Sequence, residues 1–179
     1  MLRHKFGIKL YKLCLQGGYT YNLKVYYGKD ETGDKNIFGA TNTILELSEN
    51  LLDKGRTIYT DNFYSRVSLT HEFQKRKTHL VGTLCSNRKN NHPEVVKAKL
   101  EKYQSMSLQS NTGCTVLKWM DKKDVLTIST KYDNSMAPVR RGGEEIEKLT
   151  IILGYNKCKA FIDLSDQLKA YSTSLRKGI

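Results

Sequence analysis

Three carboxylates stand at positions that suit metal-dependent chemistry. Asp61 directly follows the strand-like segment Thr57–Thr60, and sites in open α/β sheets gather at the carboxyl ends of strands. Asp163 and Asp166 lie three residues apart in a segment with helical spacing, so they share one helix face. Carboxylate oxygens bind hard divalent cations such as Mg²⁺. A strand-end Asp opposed by a helix Asp can hold metal for phosphoryl transfer.

Each of these carboxylates also has an ordinary structural interpretation, which the residues alone favour. Asp61 followed by Asn62 is typical of a turn in which the Asp side chain binds the next backbone amides. Asp163 is equally typical of a helix start, and Asp166 of an exposed helix surface. The apolar stripe of Phe161, Leu164 and Leu168 predicts that both helix carboxylates lie at the margin of the core.

The segments that must position these residues alternate between strand and helix patterns. Alternating or β-branched residues predict strands, and apolar residues at helical spacing predict helices. The predicted strands are 6–14, 19–27, 57–60, 79–85, 115–119 and 125–130, and the predicted helices are 44–52, 65–77, a short one after Pro93, and 161 to the end. Residues 120–124 form the turn of a hairpin, and Gly55 ends the first helix. This order predicts a mixed α/β domain.

The positive charge of the chain indicates a polyanionic partner. Thirty Lys and Arg residues against 18 Asp and Glu residues give a net charge of +12. The stretch from Arg66 to Lys102 contains nine basic and three acidic residues. This balance favours nucleic acid as the partner, with a solubilising face as the alternative. The predicted nucleic-acid contacts are Lys75, Arg76, Lys77, Arg88 and Lys89.

Several other classes of protein are disfavoured by the sequence. No apolar run approaches the roughly 18 residues of a membrane span, and charged residues interrupt the N-terminal stretch where a signal peptide would have its apolar segment. We therefore predict a soluble intracellular protein with no membrane partner. The four cysteines lie far apart and form no zinc-binding pattern with the four histidines.

Six short motifs occur in a fixed order along nearly the whole chain. They are KFGIKLY at 5–11, YTDNFYS at 59–65, VGT with SNR at 81–88, LKWMDKKDV at 117–125, YN at 155–156 with DLSDQ at 163–167, and SLRK at 174–177. In this order the motifs resemble those of piggyBac-type transposases. The resemblance implies an RNase H-like catalytic core with a β-rich insertion, DNA as the substrate, and a nuclear location.

The resemblance also implies a role for each carboxylate. In this family three aspartates hold two Mg²⁺ ions. One ion activates the attacking oxygen and the other stabilises the leaving oxygen. Asp61 takes the position of the second aspartate and Asp163 that of the third, which makes both of them metal ligands by resemblance. Asp166 matches a nearby acid of the same motif.

Two departures from the family pattern affect the expected activity. The first aspartate of the family lies on a strand before the KFGIKLY motif, where only Met1 to His4 stand here and none is acidic. Ala160 and Phe161 replace a Gly-Gly pair before the third aspartate. We therefore expect an RNase H-like mixed sheet that lacks its first strand, without strand transfer. Two strands then have unpaired edges, and the chain alone is expected to be marginally stable.

Three hypotheses about function follow from these observations, in this order of preference. The first is a remnant of a transposase core, with an N-terminal part of the core at 1–85, a basic hairpin insertion at 86–148 and a C-terminal core helix at 149–179. The second is a DNA-binding module that uses the stretch from Arg66 to Lys102. The third is an active enzyme whose missing aspartate comes from another chain by swapping, or from a longer gene product. A homodimer is a possible assembly.

Overall fold

The computed structural model describes residues 9–26 and 37–171. In chain order the elements are β1 (Leu10–Cys14), β2 (Thr20–Val25), α1 (Ile37–Ser48), β3 (Thr57–Thr60), α2 (Val67–Lys75), β4 (His79–Thr83), α3 (Pro93–Lys97), β5 (Ser105–Gln109), β6 (Thr115–Met120), β7 (Asp124–Ser129), β8 (Met136–Arg141), β9 (Glu144–Leu149) and α4 (Thr150–Tyr171). No helix in this part of the chain is long and apolar enough to span a bilayer. Residues 6–8 of the first predicted strand, residue 27 of the second and residues 172–179 of the last predicted helix lie outside the described ranges.

The chain divides into two compact units. Of the described residues, 9–26, 37–50 and 158–171 form the first, here called the hairpin–helix unit, and 51–157 form the second, here called the sheet unit. Strands β3 to β7 and helices α2 and α3 belong to the sheet unit, and strands β1 and β2 with α1 belong to the hairpin–helix unit.

The hairpin–helix unit is built on an antiparallel pair, β1 and β2, with a register shift between Leu13 and Cys14. Helix α1 is held to β2 by polar contacts: Asn22 Nδ2 donates to Leu47 O at 3.1 Å, and Lys24 pairs with Glu46. The predicted helix at 44–52 is α1, but α1 begins at Ile37 and a 3-10 turn follows it, so the helix ends before Gly55.

The sheet unit contains one five-stranded sheet with the order β3-β4-β7-β6-β5. Strands β3 and β4 are parallel and joined through α2, whereas the other neighbours are antiparallel. Val81 pairs with Ser129, so the sheet joins segments on both sides of the predicted boundary after residue 85. The predicted division at 85/86 and 148/149 itself stays a prediction.

Burial explains why these segments pair. Five of the six residues of β6 are buried, as expected of a strand covered on both faces. A core cluster of Val81, Leu117, Trp119, Leu149 and Ile151 fills this unit. The strand predicted at 57–60 and the hairpin predicted at 115–130 are confirmed.

Four elements differ from the sequence prediction. Strand β5 lies in a stretch that we predicted as polar with one short helix. The charged stretch 140–148 contains most of the hairpin β8–β9, whose turn uses Gly142 and Gly143 with φ of 62° and 91°. Helix α4 begins at Thr150 rather than 161, because the apolar run after Leu149 continues the core in helical form.

Candidate functional site

Asp61 stands where the sequence placed it, immediately after β3. Its side-chain Oδ1 accepts a hydrogen bond from Phe63 N at 3.0 Å, and its carbonyl accepts bonds from Ser65 N at 3.1 Å and Ser65 Oγ at 2.9 Å. These bonds close residues 61–65 into a turn, here called the aspartate loop. Asp61 is nevertheless exposed. The turn interpretation is therefore correct, and it leaves the carboxylate accessible to a cation.

Two buried hydroxyl groups form a hydrogen bond that joins the ends of the aspartate loop. Thr60 Oγ1 and Ser65 Oγ lie 2.7 Å apart and are buried. Gly82 of the neighbouring strand covers them so closely that an added Cβ would stand 2.1 Å from Ser65 Oγ and 2.7 Å from Thr60 O. Only glycine fits at this position, which gives the VGT motif a physical reason.

Two guanidinium groups bind the carbonyls of the aspartate loop. Arg66 Nε donates to Tyr64 O at 3.3 Å and Arg66 Nη2 to Phe63 O at 3.4 Å, while Arg88 Nη2 donates to Asn62 O at 3.1 Å and Phe63 O at 3.0 Å. Burial, and secondarily the like charge of Arg88, lowers the pKa of Arg66. Arg88 Nε is buried without a hydrogen-bond partner. Two positively charged side chains thus fix the backbone of the aspartate loop.

Asp163 and Asp166 both lie on the exposed side of α4, in the hairpin–helix unit. Asp166 pairs with Lys12 at 2.6 Å, and the Asp166 side chain is 63% exposed. Asp61 belongs to the sheet unit. Within residues 9–26 and 37–171, no group of three or more His, Cys, Asp or Glu side chains could hold a metal ion. The assignment of Asp61 and Asp163 as metal ligands stays a prediction.

The predicted buried stripe of the last helix is wrong. Leu164 and Leu168 are 38% and 54% exposed, whereas Ser165 is 5% exposed. Ser165 Oγ accepts a bond from Lys12 Nζ at 3.0 Å and lies 3.0 Å from Thr20 Oγ1. Polar contacts therefore help to fix the helix face that packs on β1 and β2, and an apolar periodicity cannot reveal them.

We expect Ser165→Ala to lower the free energy of unfolding by about 1–2 kcal/mol, because it leaves two partly buried polar groups without this partner. Ser68→Ala is the matched control, since Ser68 is an exposed serine on α2. Urea unfolding followed by circular dichroism measures both. Equal effects of the two substitutions would mean that the Ser165 contacts do not stabilise the unit.

The predicted nucleic-acid contacts have different surroundings. Lys75 pairs with Glu72 at 2.9 Å and Arg76 with Asp53 at 2.7 Å, so their charges are partly compensated. Lys77 and Lys89 are exposed. Arg88 binds the aspartate loop instead of standing free on the surface.

Arg66 and Phe63 are the site residues that sequence reasoning missed. Arg66 entered the prediction only as one charge of the basic stretch, and Phe63 only as a letter of a motif. The available signal was their sequence position, within or directly after the segment that follows Asp61.

Comparison with known proteins assigns the chain to a family. The profile of the family described as transposase IS4 matches residues 2–178. The chain belongs to this transposase family.

The fold of this transposase chain is also similar to that of a piggyBac transposase, solved by cryo-EM as a synaptic complex with hairpin DNA. The TM-score is 0.78 at 24% sequence identity, and the match covers 97% of this chain and 36% of that one. The expected piggyBac-type resemblance and the RNase H-like α/β fold class are confirmed. This transposase chain spans 36% of the length of the piggyBac chain.

Proposed function

We propose that these 179 residues bind DNA through phosphate contacts as part of a piggyBac-type transposase core. We further propose that by themselves they do not transfer DNA strands. The observations that carry the proposal are the exposed lysines Lys77 and Lys89 and the aspartate loop, an exposed strand-end segment held in place by Arg66 and Arg88. Exposed lysine ammonium groups bind phosphate oxygens as point charges. The piggyBac transposase of similar fold was solved with hairpin DNA, which supports DNA as the partner.

The absence of strand transfer by these residues alone follows from the family pattern. The sequence fills the second and third aspartate positions with Asp61 and Asp163, and none of the motifs within residues 1–179 carries the first. The carboxylates of Asp61 and Asp163 both have the chemistry of a Mg²⁺ ligand. The described residues do not fit a complete two-metal site, so the proposal for these residues is DNA binding and includes no metal-dependent step.

The phosphate contacts predict a steep dependence of DNA affinity on salt. We expect log K to fall linearly with log salt, by about 0.9 for each phosphate contact on duplex DNA. Fluorescence anisotropy of a labelled duplex at several salt concentrations measures this slope. Lys77→Gln combined with Lys89→Gln is expected to reduce the slope by up to about 0.9 for each lysine.

Lys122→Gln combined with Lys123→Gln is the matched control. It removes the same charge from two lysines that are also exposed but lie outside the stretch from Arg66 to Lys102. If both double variants lower the slope equally, the basic stretch is not the binding surface. Binding that does not respond to salt would contradict the proposal as a whole.

A nuclear location belongs to this proposal, since a DNA-binding transposase core acts on chromosomal DNA. Expression of the full 179 residues with a fluorescent tag tests it, and exclusion from the nucleus would contradict it. A homodimer stays a prediction, and sedimentation of the purified chain measures it directly.

A further inference from the structure

Phe63 has an exposed ring on a backbone that is fixed in place. The residue is 39% exposed. Its N–H is bound by Asp61 Oδ1, and its carbonyl accepts bonds from both Arg66 and Arg88. The ring packs edge-on against Tyr64, with centroids 5.0 Å apart and an interplanar angle of 89°. The loop thus presents an aromatic surface from a rigid support.

A rigid support makes stacking on this ring favourable. Binding normally loses free energy to the ordering of loops and side chains at the interface. Here the hydrogen bonds of the aspartate loop have already ordered the backbone, and an aromatic ring has few rotatable bonds to fix. A planar group that stacks on Phe63 therefore loses little free energy to ordering. Most of its contact energy contributes to binding.

The positive charge near the ring indicates which kind of planar group would stack on it. Arg88 binds the loop through neutral carbonyls, and none of the ion pairs in the described ranges includes it. Aromatic rings beside cationic groups are the combination that binds unpaired nucleotides, because the base stacks while the phosphate is neutralised.

We propose that Phe63 stacks on an unpaired base of the DNA strand that the aspartate loop binds. This inference rests on the proposed function and adds a preference to it, since a stacking ring distinguishes single-stranded from fully paired DNA. A duplex hides the faces of its bases within the stack. Phe63 therefore raises affinity for single-stranded or unpaired DNA much more than affinity for duplex DNA.

The test uses the full chain and a short single-stranded oligothymidylate with one 2-aminopurine, beside a duplex of equal length. Phe63→Leu keeps an apolar side chain without a π-face, and Phe63→Trp keeps the π-face. We expect Phe63→Leu to weaken single-strand binding by roughly 5- to 150-fold and to abolish quenching of the 2-aminopurine. Phe63→Trp retains both, and Phe63→Leu weakens duplex binding much less than single-strand binding.

The outcomes separate this inference from the proposed function. If the wild-type chain binds both DNAs and Phe63→Leu binds each of them as tightly as the wild type, the inference fails and the proposed function stands. If the wild-type chain binds neither DNA, both fail. If Phe63→Leu weakens single-strand and duplex binding alike, the ring acts through loop structure, which also overturns the inference.

Discussion

We expect Gly82→Ala to disrupt the sheet unit. The new Cβ would stand 2.1 Å from Ser65 Oγ, 2.5 Å from Thr60 Oγ1 and 2.7 Å from Thr60 O. The hydroxyl groups can rotate away only by breaking the buried Thr60–Ser65 bond, and the carbonyl oxygen belongs to the strand itself. Overpacking usually costs about 1–3 kcal/mol, and a clash with backbone places this substitution at about 3 kcal/mol or more.

Unfolding in urea, followed by Trp119 emission, measures the effect, because Trp119 is the single tryptophan and is 3% exposed in the sheet unit. Gly39→Ala is the matched control, since an added Cβ there meets nothing within 4 Å and alanine favours the helix. Combining Gly82→Ala with Ser65→Ala should recover part of the stability. A Gly82→Ala protein as stable as Gly39→Ala would show that β3 and β4 are not packed as described.

The second large effect is expected at Lys118, which is 8% exposed. Its Nζ donates to Val96 O at 3.2 Å and Ala98 O at 2.6 Å, and it pairs with Asp124 at 3.0 Å. The lysine thereby joins strand β6 to the last turn of α3. Lys118→Met keeps the apolar stem and removes all three bonds, so we expect a loss of about 2–3 kcal/mol.

Asp124→Asn separates the two kinds of contact at Lys118. The Asp124 side chain is 48% exposed, so its ion pair is screened and contributes less than about 1 kcal/mol. The carbonyl contacts remain in this variant. Urea unfolding at low and high salt should show a large, salt-insensitive loss for Lys118→Met only. Equal losses for both variants would mean that the ion pair, rather than the helix contact, stabilises the unit.

Much of the fold was predictable where the pattern was local. Thr57–Thr60 alternates in burial, and the hairpin of β6 and β7 has apolar strands around a charged turn. The hairpin β8–β9 was missed because charged residues dominate its strands, although Gly142-Gly143 is a strong turn signal in a sequence. The buried face of α4 was missed because Ser165, a polar residue, makes the contacts.

The candidate site was predictable at Asp61 and much less so around it. A strand followed by Asp-Asn places a carboxylate at a sheet edge from local sequence alone. The approach of Arg88 to the carbonyl of Asn62 joins residues 26 positions apart, and the fit of Gly82 over Ser65 depends on the pairing of two strands. Neither contact leaves a periodic signal in the sequence.

We expect these residues to bind DNA and not to transfer strands by themselves. The most direct test incubates the chain with supercoiled plasmid in Mg²⁺ or Mn²⁺ at low salt, where binding is complete, and compares it with Asp61→Asn. We expect both proteins to retard the plasmid on a gel, with no nicking above the level seen without protein. Metal-dependent nicking by the wild-type chain that disappears in Asp61→Asn would contradict this expectation.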